Sequence, residues 1–456
     1  MPHRYDYDLI VLGSGAAGSV AAHIGASTGK RVAIVEAQAF GGDCTNYADI
    51  PTKAMLHVAN LYDETMRATR FGIRSSTIGY NYPSIRAWKE TAIRRTGAAQ
   101  SRQSFEREGI NVLKGDAHFI SEHEVSIGRR HYSAESFYIA TGADNLLPPI
   151  KGLEEVKYLT TYNALDLLRP PKSLFIIGAG GSGCELANLF SVFGTRITMA
   201  DIASRLLPRE DEQVSQFVQN HFAKYRHIQM LPSTKITHVE KETVLKRVHF
   251  TQGTNARSVK VDEILLATGK APRVDIGLEN AGVEYTAKGI TVNEFMQTTA
   301  KHIFAGGDVV GPHMFTHTAI YQSRIAMHNL FHRQKTMVDY RAVPRVYYLE
   351  PEIAAVGLTE EDAIKYATKY RTATTPISII GRANISDEGE GFVKVIASPE
   401  GRLLGASIAS PHAGEMIHEL ALAIQAGLTA QDVANTIHAF PTWSEAVRAA
   451  CGKVVG

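Results

Sequence analysis

Two segments, Gly13-Ser14-Gly15-Ala16-Ala17-Gly18 and Gly178-Ala179-Gly180-Gly181-Ser182-Gly183, carry glycines at a spacing that lets backbone approach a phosphate. Each follows a short apolar run, Asp8 to Leu12 or Leu174 to Ile177, and each precedes small residues suited to a tightly packed helix. In such a unit Gly13 or Gly178 permits the tight turn. Gly15 or Gly180 lets the chain approach a pyrophosphate, and Gly18 or Gly183 lets helix and strand pack closely. The free N–H groups at the helix start, with their partial positive charge, face the phosphates. A second strand then ends in an acid, Glu36 after Arg31 to Val35 and Asp201 after Arg196 to Ala200. Both acids stand 23 residues beyond the first glycine, near the place expected of a ribose-binding carboxylate. Two such units imply two dinucleotides, hence one enzyme moving electrons between two cofactors. Asp201 would hydrogen-bond a free ribose 2′-OH and repel a 2′-phosphate, favouring NADH over NADPH. Arg205 and Arg209 lie close by and pull the other way.

The elements around these units follow from pattern. Ser133 to Ile139 reads as a strand leading into Ala140-Thr141-Gly142, and Glu263 to Leu266 leads into Ala267-Thr268-Gly269. Such small-residue turns suit a chain passing close to a bound dinucleotide, with Thr141, Gly142 and Gly269 as contacts. Ile303-Phe304-Ala305-Gly306-Gly307-Asp308 reads as strand, glycine turn and acid. Asp308 there suits a ribityl or ribose hydroxyl, or equally a helix N-cap. Ala54 to Thr69 and Ser84 to Glu108 read as helices, the second capped by Gly109, with a loop over Gly72 to Pro83. Ile110 to Leu113 reads as a short strand. Towards the end, Arg345 to Ala355 and Gly391 to Ala397 read as strands and Gly414 to Ala426 as an amphipathic helix. His438 to Ala450 holds Pro441, Thr442 and Glu445 at the entry to a short helix. Low charge over much of this last region predicts a buried subunit interface.

A chain of 456 residues fits roughly three domains. Its net charge of +2 gives no field directed at nucleic acid or an anionic membrane. Leu9 to Gly29 lacks Lys, Arg, Asp and Glu, yet it is rich in Gly, Ala and Ser and contains His23, so a nucleotide-binding turn explains it better than a membrane span. The opening MPHRYDYD lacks the order of a signal peptide. Cys44, Cys184 and Cys451 are too widely spaced for a disulfide scaffold or a zinc site. They read as reduced thiols in a cytoplasmic protein, with no metal site expected.

The stretch Gly41 to Lys53, GGDCTNYADIPTK, and the paired nucleotide units in this order resemble the pyridine nucleotide–disulfide oxidoreductases, nearly end to end. That family includes dihydrolipoamide dehydrogenase, glutathione reductase, mercuric reductase and soluble transhydrogenase. The resemblance implies an α/β fold with two Rossmann-like dinucleotide-binding domains, for FAD and NAD, plus a C-terminal α+β dimerisation domain. The implied divisions are 1–150 with 271–338 for FAD, 151–270 for NAD(P), and 339–456 for a homodimer interface. It also implies FAD on Gly13, Gly15, Gly18 and Glu36, with Gly42, Cys44 and Lys53 beside it and Asp308 at the flavin ribityl. Lys53 and Glu185 match the family's ion pair near the flavin N5, where Lys53 can stabilise negative charge.

Three departures shape the expected chemistry. Family members carry a second cysteine five positions after the first, but Asp49 stands there, so Cys44 has no disulfide partner at that spacing. Phe440 occupies the place of the catalytic His, and Phe carries no proton. Glu445, which would orient that His, remains, and His438 lies two residues upstream. Gly181 replaces a frequent Tyr at the nicotinamide pocket, which predicts a more open side there. The complete cofactor machinery beside a dismantled thiol relay predicts an FAD-dependent NAD(P)H oxidoreductase. Hydride from NADH would reach the flavin, and electrons would pass directly to a quinone, dye, metal ion or oxygen. Three alternatives stand beside it. One is a soluble transhydrogenase, which this chain resembles around Cys44 and before Pro-Thr. The others are a single-thiol redox enzyme using Cys44, and a regulatory or structural FAD-binding protein. Asp49 reads as a filler or as a proton source beside the flavin.

Overall fold

In the computed structural model, which describes residues 4–74 and 78–456, the strand Tyr7–Leu12 is almost wholly buried, as a central parallel strand must be. Val32–Glu36 and Asn111–Lys114 lie in parallel on one side of it, and Arg130–Ile139 and Ile303–Ala305 on the other. Ile303–Ala305 comes from far along the chain, so the first nucleotide unit and the Gly306-Gly307-Asp308 turn share one sheet. The beginning of Arg130–Ile139 also pairs with the hairpin Ala117–Ser121 and Glu124–Ile127.

The second unit has its own parallel sheet, in the order Gln229–Leu231, Arg196–Ala200, Ser173–Ile177, Glu263–Leu266 and Leu159–Thr160. A three-stranded antiparallel ribbon, from Thr234–Lys241 to Asn255–Val261, packs on it, with Phe175 against Phe250. The chain leaves and re-enters this part through one small ribbon, Ala143–Asn145 paired with Lys270–Pro272. A third, antiparallel sheet orders Arg345–Tyr347, Glu352–Gly357, Leu403–Ser410, Phe392–Ala397 and Arg371–Pro376. The helices Ala413–Ala426 and Glu445–Val455 bury their apolar faces against it. Polar side chains tie this sheet to the second unit: Lys394 to Asp211 at 2.8 Å and Arg345 to the buried Glu210 at 2.8 Å.

Some expectations on elements need correction. Ser84 to Glu108 is three pieces, Tyr82–Gly97, a 3-10 turn Ala98–Gln100 and Arg102–Arg107, because Ser101 starts a new helix by accepting the Ser104 N–H. Arg345 to Ala355 is two strands, since Pro351 has no N–H for a ladder. The helix expected from Ala54 begins at Asp49, so Asp49 and Lys53 lie one turn apart on one face. Part of the predicted loop over Gly72 to Pro83, residues 75–77, and the first three residues of the opening segment lie outside the described residues. Among the described residues no helix is long and apolar enough to cross a membrane.

Candidate functional site

Both nucleotide units open into one continuous cleft of about 2440 Å³. A pocket for a single small ligand holds on the order of 300–1,000 Å³, so this one has room for two dinucleotides. The two units repeat each other's geometry. Gly13 and Gly178 have φ of 104° and 108°, and a Cβ on either would collide with a carbonyl oxygen, of Ala140 or Ala267. This explains the echoing tripeptides: each brings a small residue against the first glycine, with the Ala140 and Ala267 amides donating to Leu12 and Ile177 at 2.8 Å. A Cβ on Gly18 or Gly183 would strike the carbonyl of Gly13 or Gly178, so both sit behind the turn where helix meets strand. Gly15 and Gly180 are extended N-caps without side-chain caps, leaving the helix N–H groups free to face the cleft.

The two acids are held alike. Glu36 accepts the Ser14 amide at 3.0 Å, the Ser14 hydroxyl at 2.6 Å and the Gln38 amide at 2.6 Å. Asp201 accepts the Ala179 amide at 2.6 Å and the Ala203 amide at 2.8 Å. Each carboxylate is thus aimed by its own glycine turn while still lining the cleft. Arg205 is turned away, its guanidinium paired with both oxygens of Glu361, whereas Arg209 lines the cleft. Thr141, Gly142 and Gly269 line it as well, and Gly42 packs directly on Gly15. Asp308 opens a 3-10 turn whose N-cap is Gly307, so its carboxylate faces the cleft instead of capping. Burial raises the Asp308 carboxyl above its ordinary value, with the Lys270 ammonium opposing. Lys270, which local pattern did not single out, pairs with Asp43 and is lowered by burial.

Lys53 and Glu185 meet because the helix Asp49–Arg67 packs on Gly181–Val192. Lys53 Nζ is 2.9 Å from Glu185 and 3.2 Å from Asp49, and it lies 4.9 Å from the Tyr348 ring centroid. The other Glu185 oxygen accepts the Tyr348 amide at 3.0 Å. Burial alone would lower the Lys53 ammonium, but the Glu185 and Asp49 carboxylates outweigh it and hold it above its ordinary value. The Thr316 hydroxyl donates to Asp49 at 2.9 Å, a contact no local pattern predicts. Burial opposes ionisation of Asp49, but Lys53 and the hydrogen bonds from Thr316 and Cys44 hold its carboxyl below the usual range. The pairing with Lys53 favours its carboxylate form. Burial, with the Asp49 charge beside it, pushes the Cys44 thiol up to about 12.

A side chain on Gly181 would come within 2.6 Å of the Tyr347 ring, whose hydroxyl donates to Glu210 at 2.7 Å. The expected opening at Gly181 is thus corrected: Tyr347, from another segment, packs against that position. Glu445 accepts the Thr442 amide at 3.2 Å. His438 is engaged at both ring nitrogens, by the Thr436 carbonyl and by Glu419 at 2.7 Å, which favours a structural role. Phe440 is 78% exposed and Ile437 96% exposed, in a segment where low charge predicted an interface.

The free helix starts, the two aimed acids, the glycine cradles and a cleft of this volume fit FAD and a nicotinamide nucleotide. Comparison with known proteins agrees. The profile described as pyridine nucleotide-disulphide oxidoreductase matches residues 7–323, and that family's dimerisation domain matches 343–451. A dihydrolipoyl dehydrogenase of Thermus scotoductus is 34% identical over 452 residues, covering 96% of this chain and 95% of that one. A mercuric reductase of Staphylococcus aureus is 30% identical over 448 residues, 98% of this chain and 82% of the relative. Among solved structures, the HOCl-induced flavoprotein disulfide reductase RclA of Escherichia coli superposes with a TM-score of 0.88 at 27% identity, covering 98% of this chain and 100% of that one. With profile matches along most of its length and relatives of this identity, the chain belongs to the pyridine nucleotide-disulphide oxidoreductase family.

Proposed function

We propose that this family member transfers electrons from NADH through FAD to a small-molecule acceptor such as a quinone, without a disulfide relay. The observation that carries this reading is Asp49, ionised and hydrogen-bonded to Lys53 and Thr316, where a relay would need a second thiol. FAD, when bound, accepts a hydride from NADH and hands two electrons to the acceptor, a quinone taking them up with two protons, one from the hydride and one from solvent. Gly13, Gly15, Gly18, Glu36, Gly42, Thr141, Gly142 and Asp308 would hold FAD. Gly178, Gly180, Gly183, Asp201 and Gly269 would hold the nicotinamide nucleotide. Lys53, kept in place by Glu185, would present its charge to the flavin ring. NADH is preferred in this reading because Asp201 disfavours a 2′-phosphate and Arg205 is occupied by Glu361.

The division into 1–150 with 271–338, 151–270 and 339–456, and a homodimer through the last part, belong to the same proposal. A Cys44 thiol pushed up to about 12 argues against the single-thiol alternative. The test is an acceptor panel with NADH and NADPH in which quinones, dyes, ferric iron, oxygen, NAD analogues and lipoamide are compared. Quinone or dye turnover with NADH and none with lipoamide is expected. Lipoamide turnover would overturn the reading.

A further inference from the structure

One ammonium stands between two carboxylates at the heart of the cleft. Glu185 and Asp49 approach Lys53 Nζ from separate elements, at 2.9 and 3.2 Å. Neither carboxylate is free to swing away. The second oxygen of Glu185 is held by the Tyr348 amide at 3.0 Å, and that of Asp49 by the Thr316 hydroxyl at 2.9 Å. Thr316 opens the helix Thr316–Phe331, so Asp49 is oriented by a group 267 positions away in the chain. The cluster sets two carboxylates against one ammonium. A lone ammonium would favour extra electron density on a ring beside it. A second carboxylate on the same ammonium cancels much of that field at short range.

We infer that Asp49, oriented by Thr316, is a fixed counter-charge to Lys53 that lowers the electron affinity of the flavin pocket and so makes bound FAD a stronger two-electron donor. This deepens the proposed function and rests on its premise that FAD binds beside Lys53. Asp49 is a positioning residue here, acting through Lys53, and exchanges no proton. The role suits an enzyme that delivers electrons straight to an external acceptor.

The test uses the full-length FAD-loaded protein and two readouts that need no turnover. One is the dissociation constant for sulfite, an anion that adds to flavin and reports the charge around it. The other is the two-electron midpoint potential measured against redox dyes without oxygen. Asp49→Asn is expected to bind sulfite at least tenfold more tightly and to shift the two-electron equilibrium at least tenfold towards reduction, about 30 mV. Asp49→Glu, which keeps the charge, is expected to stay within threefold of the parent. Thr316→Val is expected to move both readouts in the direction of Asp49→Asn, by less. Should Asp49→Asn lose its flavin, Asp49→Ser carries the same expectation. Unchanged values in the neutral variants, or equal shifts in Asp49→Glu and Asp49→Asn, would overturn the inference. A parent protein that holds no FAD, or whose FAD is not reduced by NADH, would remove both this inference and the proposed function. A parent with NADH-reducible FAD whose sulfite affinity ignores residue 49 would remove the inference alone.

Discussion

Cys44 offers a quantitative check on the missing relay. Its thiol is pushed up to about 12 by burial and by the neighbouring Asp49 carboxylate. At pH 8 an ordinary cysteine, with a pKa of about 8.5, is about one-quarter thiolate, whereas a value of about 12 leaves about one part in ten thousand. The loss of thiolate is therefore about 2,500-fold. A more basic thiolate is also more nucleophilic, and a Brønsted slope of about 0.45 over about 3.5 units returns about fortyfold. The net slowing is about sixtyfold relative to such an ordinary cysteine, before any steric shielding. The assay is anaerobic alkylation by iodoacetamide, with the modified peptide quantified by mass against pH. The logarithm of the Cys44 rate should rise by about one per pH unit as far as pH 10. Cys184 and Cys451 are buried, and burial pushes both thiols up, so neither should compete. Asp49→Asn should speed Cys44 at pH 8, because the carboxylate is one of the groups holding the thiol protonated. A rate matching an ordinary cysteine or faster, with a plateau at or below about pH 9, would show an accessible, readily ionised thiol and restore the single-cysteine alternative.

Other consequences test the surroundings of the cleft. Gly181→Ala sets a methyl about 2.6 Å from a ring that Glu210 anchors. Denaturant unfolding should show a loss of about 1–3 kcal/mol, as for other overpacked sites, and much of it should vanish in the Gly181→Ala, Tyr347→Ala double variant. Arg345→Met leaves the buried Glu210 carboxylate with Tyr347 as its remaining partner. The same assay should register about 3–5 kcal/mol, the usual consequence of stranding a buried charge. Asp201→Ala should weaken NADH binding and leave NADPH binding equal or stronger, as read by titration of the oxidised protein with each nucleotide analogue. Equal losses for both would place the ribose 2′-OH elsewhere.

The nucleotide units were legible because their signal is local. A buried strand, three glycines, a helix and an acid lie within one short window, and the strands Arg196–Ala200 and Glu263–Leu266 fall where the apolar pattern places them. The tripeptides after Ile139 and Leu266 were legible as close to a cofactor, but their packing on Gly13 and Gly178 joins distant segments. Contacts that cross the chain were not legible. Thr316 reaches Asp49 and Tyr347 fills the space over Gly181, and neither pair shares a periodic pattern. Lys270 follows the Ala267-Thr268-Gly269 turn and looks like an ordinary surface charge until the ribbon with Ala143–Asn145 folds it towards Asp43. The break in Ser84 to Glu108 was missed because the helical composition continues through it, while a single serine cap restarts the helix.

The central claim is an intact NADH–FAD core whose electrons leave without a thiol pair. An anaerobic titration of the purified flavoprotein with NADH, followed by its absorption spectrum, tests it most directly. The account predicts full bleaching at one NADH, two electrons, per FAD, with no long-wavelength thiolate–flavin band. Uptake of four electrons per FAD, or the appearance of that band, would contradict it.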